Sequence, residues 1–210
     1  MKTSTFPLRR PLASRATYAA STLLLAGIWI MFCCSHVLAW QHGGELSSLL
    51  FAGSESLVAM LFLLRDRPAA VSDAPLDWLL ALAGTAAPLL FTPVGNGLLP
   101  GGALLIAAGV LLQIGGLLSL NSSFGLVAAR RTVKTGGLYR LVRHPLYASY
   151  LLMYLGYVLV NTSVANLLLV LLGAALLMAR MLREERFLSR DVHYLHYMRQ
   201  VKYRLIPLLF

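Results

Sequence analysis

Apolar residues in this chain come in long blocks, not at alternating or one-face spacing. Six blocks, at about 17–40, 46–64, 77–94, 99–120, 146–160 and 164–182, are separated by short polar connections. Most approach or reach the roughly 18 to 25 residues that a helix needs to cross a hydrocarbon core about 30 Å thick. The third is the weakest, with Pro88 inside it and Pro93 near its end. The pattern predicts an all-α integral membrane protein with about six transmembrane helices, or five if the third block does not fully span.

Composition supports that class. The 210 residues are 58% hydrophobic and 12% charged, whereas a soluble domain carries about 25% charged residues. Disordered and fibrous readings are excluded. The net charge of +10 would suggest nucleic acid in a soluble chain; here its placement along the chain is the better guide. All eighteen Lys and Arg fall before the first block, between the second and third, between the fourth and fifth, or at and after the end of the sixth. The connections around Gln41–Glu45, Thr92–Leu99 and Asn161–Ser163 hold none. By the positive-inside rule both termini are expected in the cytoplasm, with an even number of spans and no nucleic-acid partner. Val37-Leu38-Ala39 resembles a signal-peptide cleavage site, but the apolar run before it is longer than a signal core of about 7–15 residues. The first block is therefore expected to be retained as a span. Cys33 and Cys34 are adjacent within it and read as small apolar residues.

Up to Leu120 the blocks are Leu/Ala/Gly sequence with two polar exceptions. Glu55 falls at the middle of the second block, an intramembrane carboxylate that is a functional hypothesis by default. The competing reading, which we prefer, is a protonated Glu55 hydrogen-bonded to Gln113 of the fourth block. The chain is expected to divide into an N-terminal bundle of four spans, 1–120, and a chemistry-bearing core, 121–210. In the core, Gly136-Gly137 permits a tight turn. Pro145 suits the first turn of a helix, with His144 at its N-cap. The open N–H groups of that helix end, beside Arg140 and Arg143, either bind an anion or anchor the helix to lipid headgroups. Tyr147, Tyr150, Tyr154 and Tyr157 share one helical face. They form either a helix-packing stripe or a cleft wall for a flat ring or a cation. A three-residue turn makes the fifth and sixth helices an antiparallel hairpin, and this brings Arg180, Arg183, Glu184 and Glu185 beside the Arg143-His144-Pro145 start. The tail from Asp191 is amphipathic and reads as an interfacial helix. His193 and His196 have too few companions for a metal site, so no metal is expected.

The segment GGLYRLVRHPLYASYLLMYLGYVL, the element ARMLREERFL and the closing Tyr-x-x-Tyr, Val and Ile-Pro signature resemble the isoprenylcysteine carboxyl methyltransferase family. The related phospholipid N-methyltransferases share much of this pattern. The resemblance covers about Ser119 to Pro207. It implies an S-adenosylmethionine-dependent methyltransferase whose C-terminal hairpin encloses the cofactor in a cytosolic pocket while the acceptor arrives from the membrane. Carried onto this sequence, it implies cofactor binding by Gly137, Tyr139, Arg143, His144, Pro145, Tyr147 and Glu184, and catalytic roles for Arg180 and Glu185. The expected acceptor is a lipid-soluble or lipid-linked molecule. Carboxyl O-methylation is favoured, with phospholipid N-methylation as the alternative, and the expected location is a bacterial inner membrane.

Two rivals are weaker. Membrane sterol reductases share a similar hairpin and bind NADPH, but typically show a Gly-Glu pair shortly after the matching tyrosine, where this chain has Ala148, Ser149 and Tyr150. A small transporter should carry mid-membrane polar groups on several spans, and only Glu55 and Gln113 qualify.

Overall fold

The computed structural model describes residues 15–43, 46–92, 94, 97–99 and 101–210. Lys2, Arg9, Arg10, Glu45, Pro93 and Gly95 lie outside the described residues, as does the side chain of Glu55. The fold is built from helices α1 (Arg15–Gly43), α2 (Leu46–Leu64), α3 (Pro75–Ala86), α4 (Gly102–Leu120), α5 (Pro145–Val160), α6 (Val164–Leu188) and α7 (Val192–Gln200). Among the described residues, three helical stretches are long and apolar enough to cross a membrane: Tyr18–Gly43, Gly102–Ser123 and Val164–Leu188. α5 is apolar but shorter. The third apolar block does not make one long helix. α3 ends at Ala86, and Pro88, which lacks the N–H an α-helix interior requires, stands in a 3-10 turn over Ala87–Leu90.

The helices pack as antiparallel pairs. α1 lies along α2, with the Tyr18 hydroxyl donating to the Arg65 carbonyl at 3.0 Å and Cys33 Sγ meeting Ser56 Oγ at 3.1 Å. α4 lies along α5 at close range because small residues face each other. A Cβ added at Gly109 would come within 2.5 Å of Met153, and one at Gly156 within 2.7 Å of the Gly102 carbonyl oxygen. Such small-residue seams let two backbones approach without side chains between them. Phe62 of α2, Leu117 of α4, Leu146 of α5 and Phe124 join the first pair to the second in one buried cluster. α3 runs along α6, held near its start by the Asp77 carboxylate, which pairs with Arg183 and accepts from the Ser72 hydroxyl.

Two loops supply pairing that helical patterning alone does not foresee. β1 (Ala70–Val71) and β2 (Ala129–Arg130) form a short antiparallel ladder, Ala70 opposite Arg130 and Val71 opposite Ala129. Ala69 N–H donates to Arg130 O at 2.8 Å and Ser72 N–H to Ala128 O at 2.9 Å, which extends the ladder at both ends. The Pro68 ring keeps this stretch out of a helix, and its backbone groups find partners across the gap instead. At the other end, the fully buried Asn166 side chain donates to the carbonyls of Thr92 and Asn161, 2.8 Å each, and accepts from Thr92 N–H at 3.1 Å. That cross-link ties the α5–α6 turn to the segment after α3.

The C-terminal tail differs from the expected interfacial helix. α7 spans nine residues and is capped by Asp191, whose side chain accepts from His193 N–H. Beyond it, after residues 201–203, the chain curls through turns in which the Arg204, Leu205 and Ile206 N–H groups donate to the Phe210 carbonyl oxygen. Tyr194, Tyr197 and Val201 do not lie on a lipid surface; they are buried against Tyr139 in their own core cluster. Tyr139 offers these side chains a protein surface to pack on.

Candidate functional site

The site forms where the start of α5, the end of α6 and the tail meet. Gly137 takes a left-handed φ of +56°, which opens the 3-10 turn Gly137–Arg140 and directs Tyr139 inward. A side chain at position 137 would run into Ser119, whose hydroxyl accepts from Leu138 N–H at 3.2 Å. Pro145 begins α5 and His144 is its N-cap, although the imidazole does not cap the helix. The residues before Pro145 give their backbone N–H groups to the tail: Arg143 to Tyr203 O at 2.9 Å and His144 to Arg204 O at 2.8 Å.

Arg143 and His144 meet an anion, and it is the protein's own. Glu185 Oε1 accepts from Arg143 Nε at 2.6 Å and lies 3.1 Å from His144 Nε2, while Oε2 accepts from Arg204 Nε at 2.9 Å. Arg143 also donates to the carbonyls of Val201 at 2.8 Å and Lys202 at 2.7 Å. Glu185, Arg143 and His144 are only 5–6% exposed. This clamp fastens three elements that are far apart in sequence, and its carboxylate is absent from the wall of the cavity beside it.

The neighbouring carboxylate points the other way. Glu184 lines the cavity and accepts from the Tyr147 hydroxyl at 2.7 Å. Arg180, one turn earlier, also lines it; its guanidinium donates to the Leu126 carbonyl and lies 5.6 Å from the Tyr147 ring centroid. One-turn spacing allows an Arg180–Glu184 pair, but each side chain takes a different partner. The cavity has a volume of about 500 Å³, within the roughly 300–1,000 Å³ typical of sites for small molecules and cofactors. Its polar end is walled by Arg143, His144, Glu184, Tyr139, Tyr194 and Tyr197, and its roof is the loop from Phe124 to Lys134. From there it continues into the helices past Tyr147, Tyr150, Tyr154 and Tyr157, reaching Trp29 and Phe32 of α1 and Phe91 after α3.

Electrostatics at the polar end are set by burial. It pushes the Tyr139 and Tyr194 phenols well up from their ordinary value, and the negative charge of Glu184 pushes the same way. Tyr197 is raised mainly by burial as well, and donates to the Tyr139 carbonyl at 2.8 Å. These phenols are neutral hydrogen-bonding groups at any ordinary pH. In the roof loop, burial and the charge of Arg65 pull Arg131 below its usual value. Among the described residues, no three His, Cys, Asp or Glu side chains converge as a metal set would.

Of the residues singled out in the sequence, the structure brings Tyr139, Arg143, His144, Tyr147, Arg180 and Glu184 to the cavity wall. Gly137 and Pro145 shape the backbone behind it, and Glu185 belongs to the clamp. The loop and the closing Tyr-x-x-Tyr stood out in the sequence, but no site role was assigned there to Arg131 and Lys134 of the roof loop or to the tail tyrosines Tyr194 and Tyr197. The amphipathic spacing of the tail located those tyrosines on one face but assigned that face to lipid.

Compared with curated proteins, the chain matches none. Residues 99–193 match the family model of the phospholipid methyltransferases, a match that fits the resemblance carried by the Arg143-His144-Pro145 and Glu184-Glu185 elements and indicates a membrane methyltransferase.

Proposed function

We propose that this protein is a multi-pass membrane methyltransferase that uses S-adenosylmethionine to methylate a lipid-soluble or lipid-linked acceptor, with carboxyl O-methylation as the reaction. The single supporting observation is the shape of the cavity. One continuous space joins a polar end, walled by a carboxylate, cations and neutral phenols, to an apolar end inside the helices. A charged cofactor and a lipophilic acceptor need such a shared chamber, polar at one end and apolar at the other.

The residues at the polar end fit the methyl donor chemically. An amino-acid zwitterion needs a cation for its carboxylate and an anion for its ammonium; Lys134 or Arg131 and Glu184 are of those types. An adenine ring needs aromatic surface and neutral hydrogen-bond partners, and Tyr139, Tyr194 and Tyr197 offer both. When bound, the cofactor supplies a methyl group already activated on a sulfonium. The protein's part is then to bind, orient and exclude water. Arg180, beside Tyr147, is placed to hold an acceptor carboxylate, for which a guanidinium fork is suited. The roof loop, tied down by the β1–β2 ladder and by Arg180, keeps water from the chamber. Glu185 acts as a positioning residue in this reading: it fixes Arg143, His144 and the tail, which together hold the polar wall. With the sided distribution of Lys and Arg, the polar end would face the cytoplasm, as would both termini. The functional core would be 121–210, with α4 as its packing partner.

Calorimetric titration of the detergent-purified protein with S-adenosylhomocysteine and, in parallel, NADPH tests the proposal. Binding of the homocysteine compound alone is expected, weakened by Glu184→Gln. No binding of it by the wild-type protein, or preferential binding of NADPH, overturns the reading.

A further inference from the structure

Cations crowd the meeting point of three helix ends: the start of α1, the end of α2 and the end of α4. Tyr18 donates there to the Arg65 carbonyl, and Asp66 N–H donates to Ser122 O at 2.8 Å. The Arg65 guanidinium lies 5.1 Å from the Tyr18 ring centroid and 5.2 Å from that of Phe62. Its Nη2 donates to Thr22 Oγ1 at 3.0 Å and Ser21 Oγ at 3.3 Å, while its Nε–H is buried without a partner among the described residues. Arg67, which is exposed, lies 5.1 Å from the same Tyr18 ring. Arg131 of the roof loop lies against Gly125, donates by Nε to the Asp66 carbonyl at 3.3 Å, and is close enough to Arg65 for the two charges to repel. Among the described residues none of these three guanidiniums forms an ion pair.

The acidic residues are committed elsewhere. Asp77, Glu185 and Asp191 pair with other arginines, and Glu184 accepts from Tyr147. The Asp66 carboxylate accepts from the Ser122 hydroxyl at 2.7 Å, and Asp73 is exposed beyond the β1 strand. Glu55 stands ten residues before Arg65 in α2, about 15 Å along the axis, and Glu45 precedes α2 altogether. A guanidinium partly stripped of water, beside two more cations, is costly until an anion arrives. The surroundings say which anion. The apolar stretches Tyr18–Gly43 and Gly102–Ser123, each long enough to cross a membrane, both end at this level, and Leu63 and Leu64 beside Arg65 are 52% and 61% exposed. With those helices in a bilayer, the three cations stand in the headgroup layer and the leucines face acyl chains. We infer that the phosphate of an anionic membrane phospholipid docks on Arg65, Arg67 and Arg131, and that it fastens the roof loop to the α1–α2 end of the molecule. Guanidinium forks suit phosphate oxygens, and the anionic lipids of a cytoplasmic leaflet supply them. With Arg131 engaged in this way, Lys134 is the roof-loop cation left for the methyl donor.

Native mass spectrometry of the detergent-purified protein, offered phosphatidylglycerol and phosphatidylcholine at equal mole fraction, provides the test, with inorganic phosphate as a third arm. The wild type should retain phosphatidylglycerol at least about tenfold better than phosphatidylcholine, the factor for one charge-assisted hydrogen bond. Arg65→Gln and Arg67→Gln should each remove most of that preference, whereas Arg186→Gln, at an exposed cation near the end of α6, should keep it. Arg67→Gln decides the matter if Arg65→Gln fails to fold. Hydrogen exchange of the 124–134 amides should slow several-fold with phosphatidylglycerol, and with neither phosphatidylcholine nor inorganic phosphate. Equal retention of the two lipids by the wild type, a preference that survives Arg67→Gln, or a loss as large in Arg186→Gln overturns the inference. Slowing by inorganic phosphate alone assigns the site to a soluble anion and overturns it too. Neither measurement uses a methyl donor, so the outcome is independent of S-adenosylhomocysteine binding and of the methyltransferase reading.

Discussion

Replacing Glu185 with Ala should damage the fold more than any other single carboxylate change at the site. The side chain is 5% exposed and accepts from Arg143, itself 6% exposed, at 2.6 Å. Removing one partner of such a pair leaves the other charge buried without compensation, at a cost of about 3–5 kcal/mol. The Arg204 contact adds little, because its side chain is 33% exposed and exposed pairs contribute about 0–1 kcal/mol. For a chain of this size each kcal/mol is worth roughly 2–4 °C, so the apparent melting temperature should fall by about 6–20 °C. The assay is thermal unfolding in detergent at one fixed scan rate, since membrane proteins unfold irreversibly and the midpoint depends on rate. Glu184→Gln is the control. It alters one bond from Tyr147, worth about 1 kcal/mol, and should shift the midpoint only a few degrees while weakening S-adenosylhomocysteine. The clamp argument is refuted if Glu185→Ala melts within about 2 °C of the wild type but loses ligand binding. Glu185 would then be a ligand contact and not a structural one.

Arg143→Lys should behave almost as badly as Glu185→Ala in the same melt, because an ammonium cannot reach Glu185 and two tail carbonyls at once; wild-type stability in that variant would contradict the geometry. Gly137→Ala should cost more than about 1 kcal/mol, since position 137 combines a φ of +56° with close contact to Ser119; the melting curve reports it, and an unchanged or raised midpoint would count against the turn. Tyr139, Tyr194 and Tyr197 have folded-state values raised above the unfolded value of about 10. The sign is that of any group with a raised value: their contribution is full below about pH 10 and declines as pH rises past the unfolded value. Ultraviolet titration of the folded protein should therefore leave at least these three of nine tyrosines un-ionised at about pH 11, and their early ionisation without unfolding would show the cluster to be open.

Much of the architecture was legible along the chain. Helices stand at all six apolar blocks, five of them with ends shifted by a few residues and the third cut short, and Pro145 marks the start of α5. The third block, marked in the sequence as the weakest for its Pro88 and Pro93, is the one that falls short: α3 ends at Ala86 and Pro88 stands in the 3-10 turn after it. The α4–α5 seam was present as glycines at 102, 109 and 116, yet within Leu/Ala/Gly sequence it looked like filler. Only a partner helix gives that spacing meaning.

What the sequence determines by itself is local or additive: that helices form, roughly where they run, and how the Lys and Arg distribute among the connections between them. What only the tertiary structure decides is the division of labour among neighbours. Glu184 and Glu185 are adjacent and chemically identical, and no property of either residue separates their tasks. About 100° of rotation around the helix axis turns one toward the cavity and Tyr147, and the other toward Arg143, His144 and Arg204. The same holds for Tyr194 and Tyr197, whose amphipathic face suits lipid or Tyr139 equally until the tail is docked. A pattern fixes which face of an element is apolar, but its partner is set by the balance of long-range contacts, and those exist only once the chain has folded.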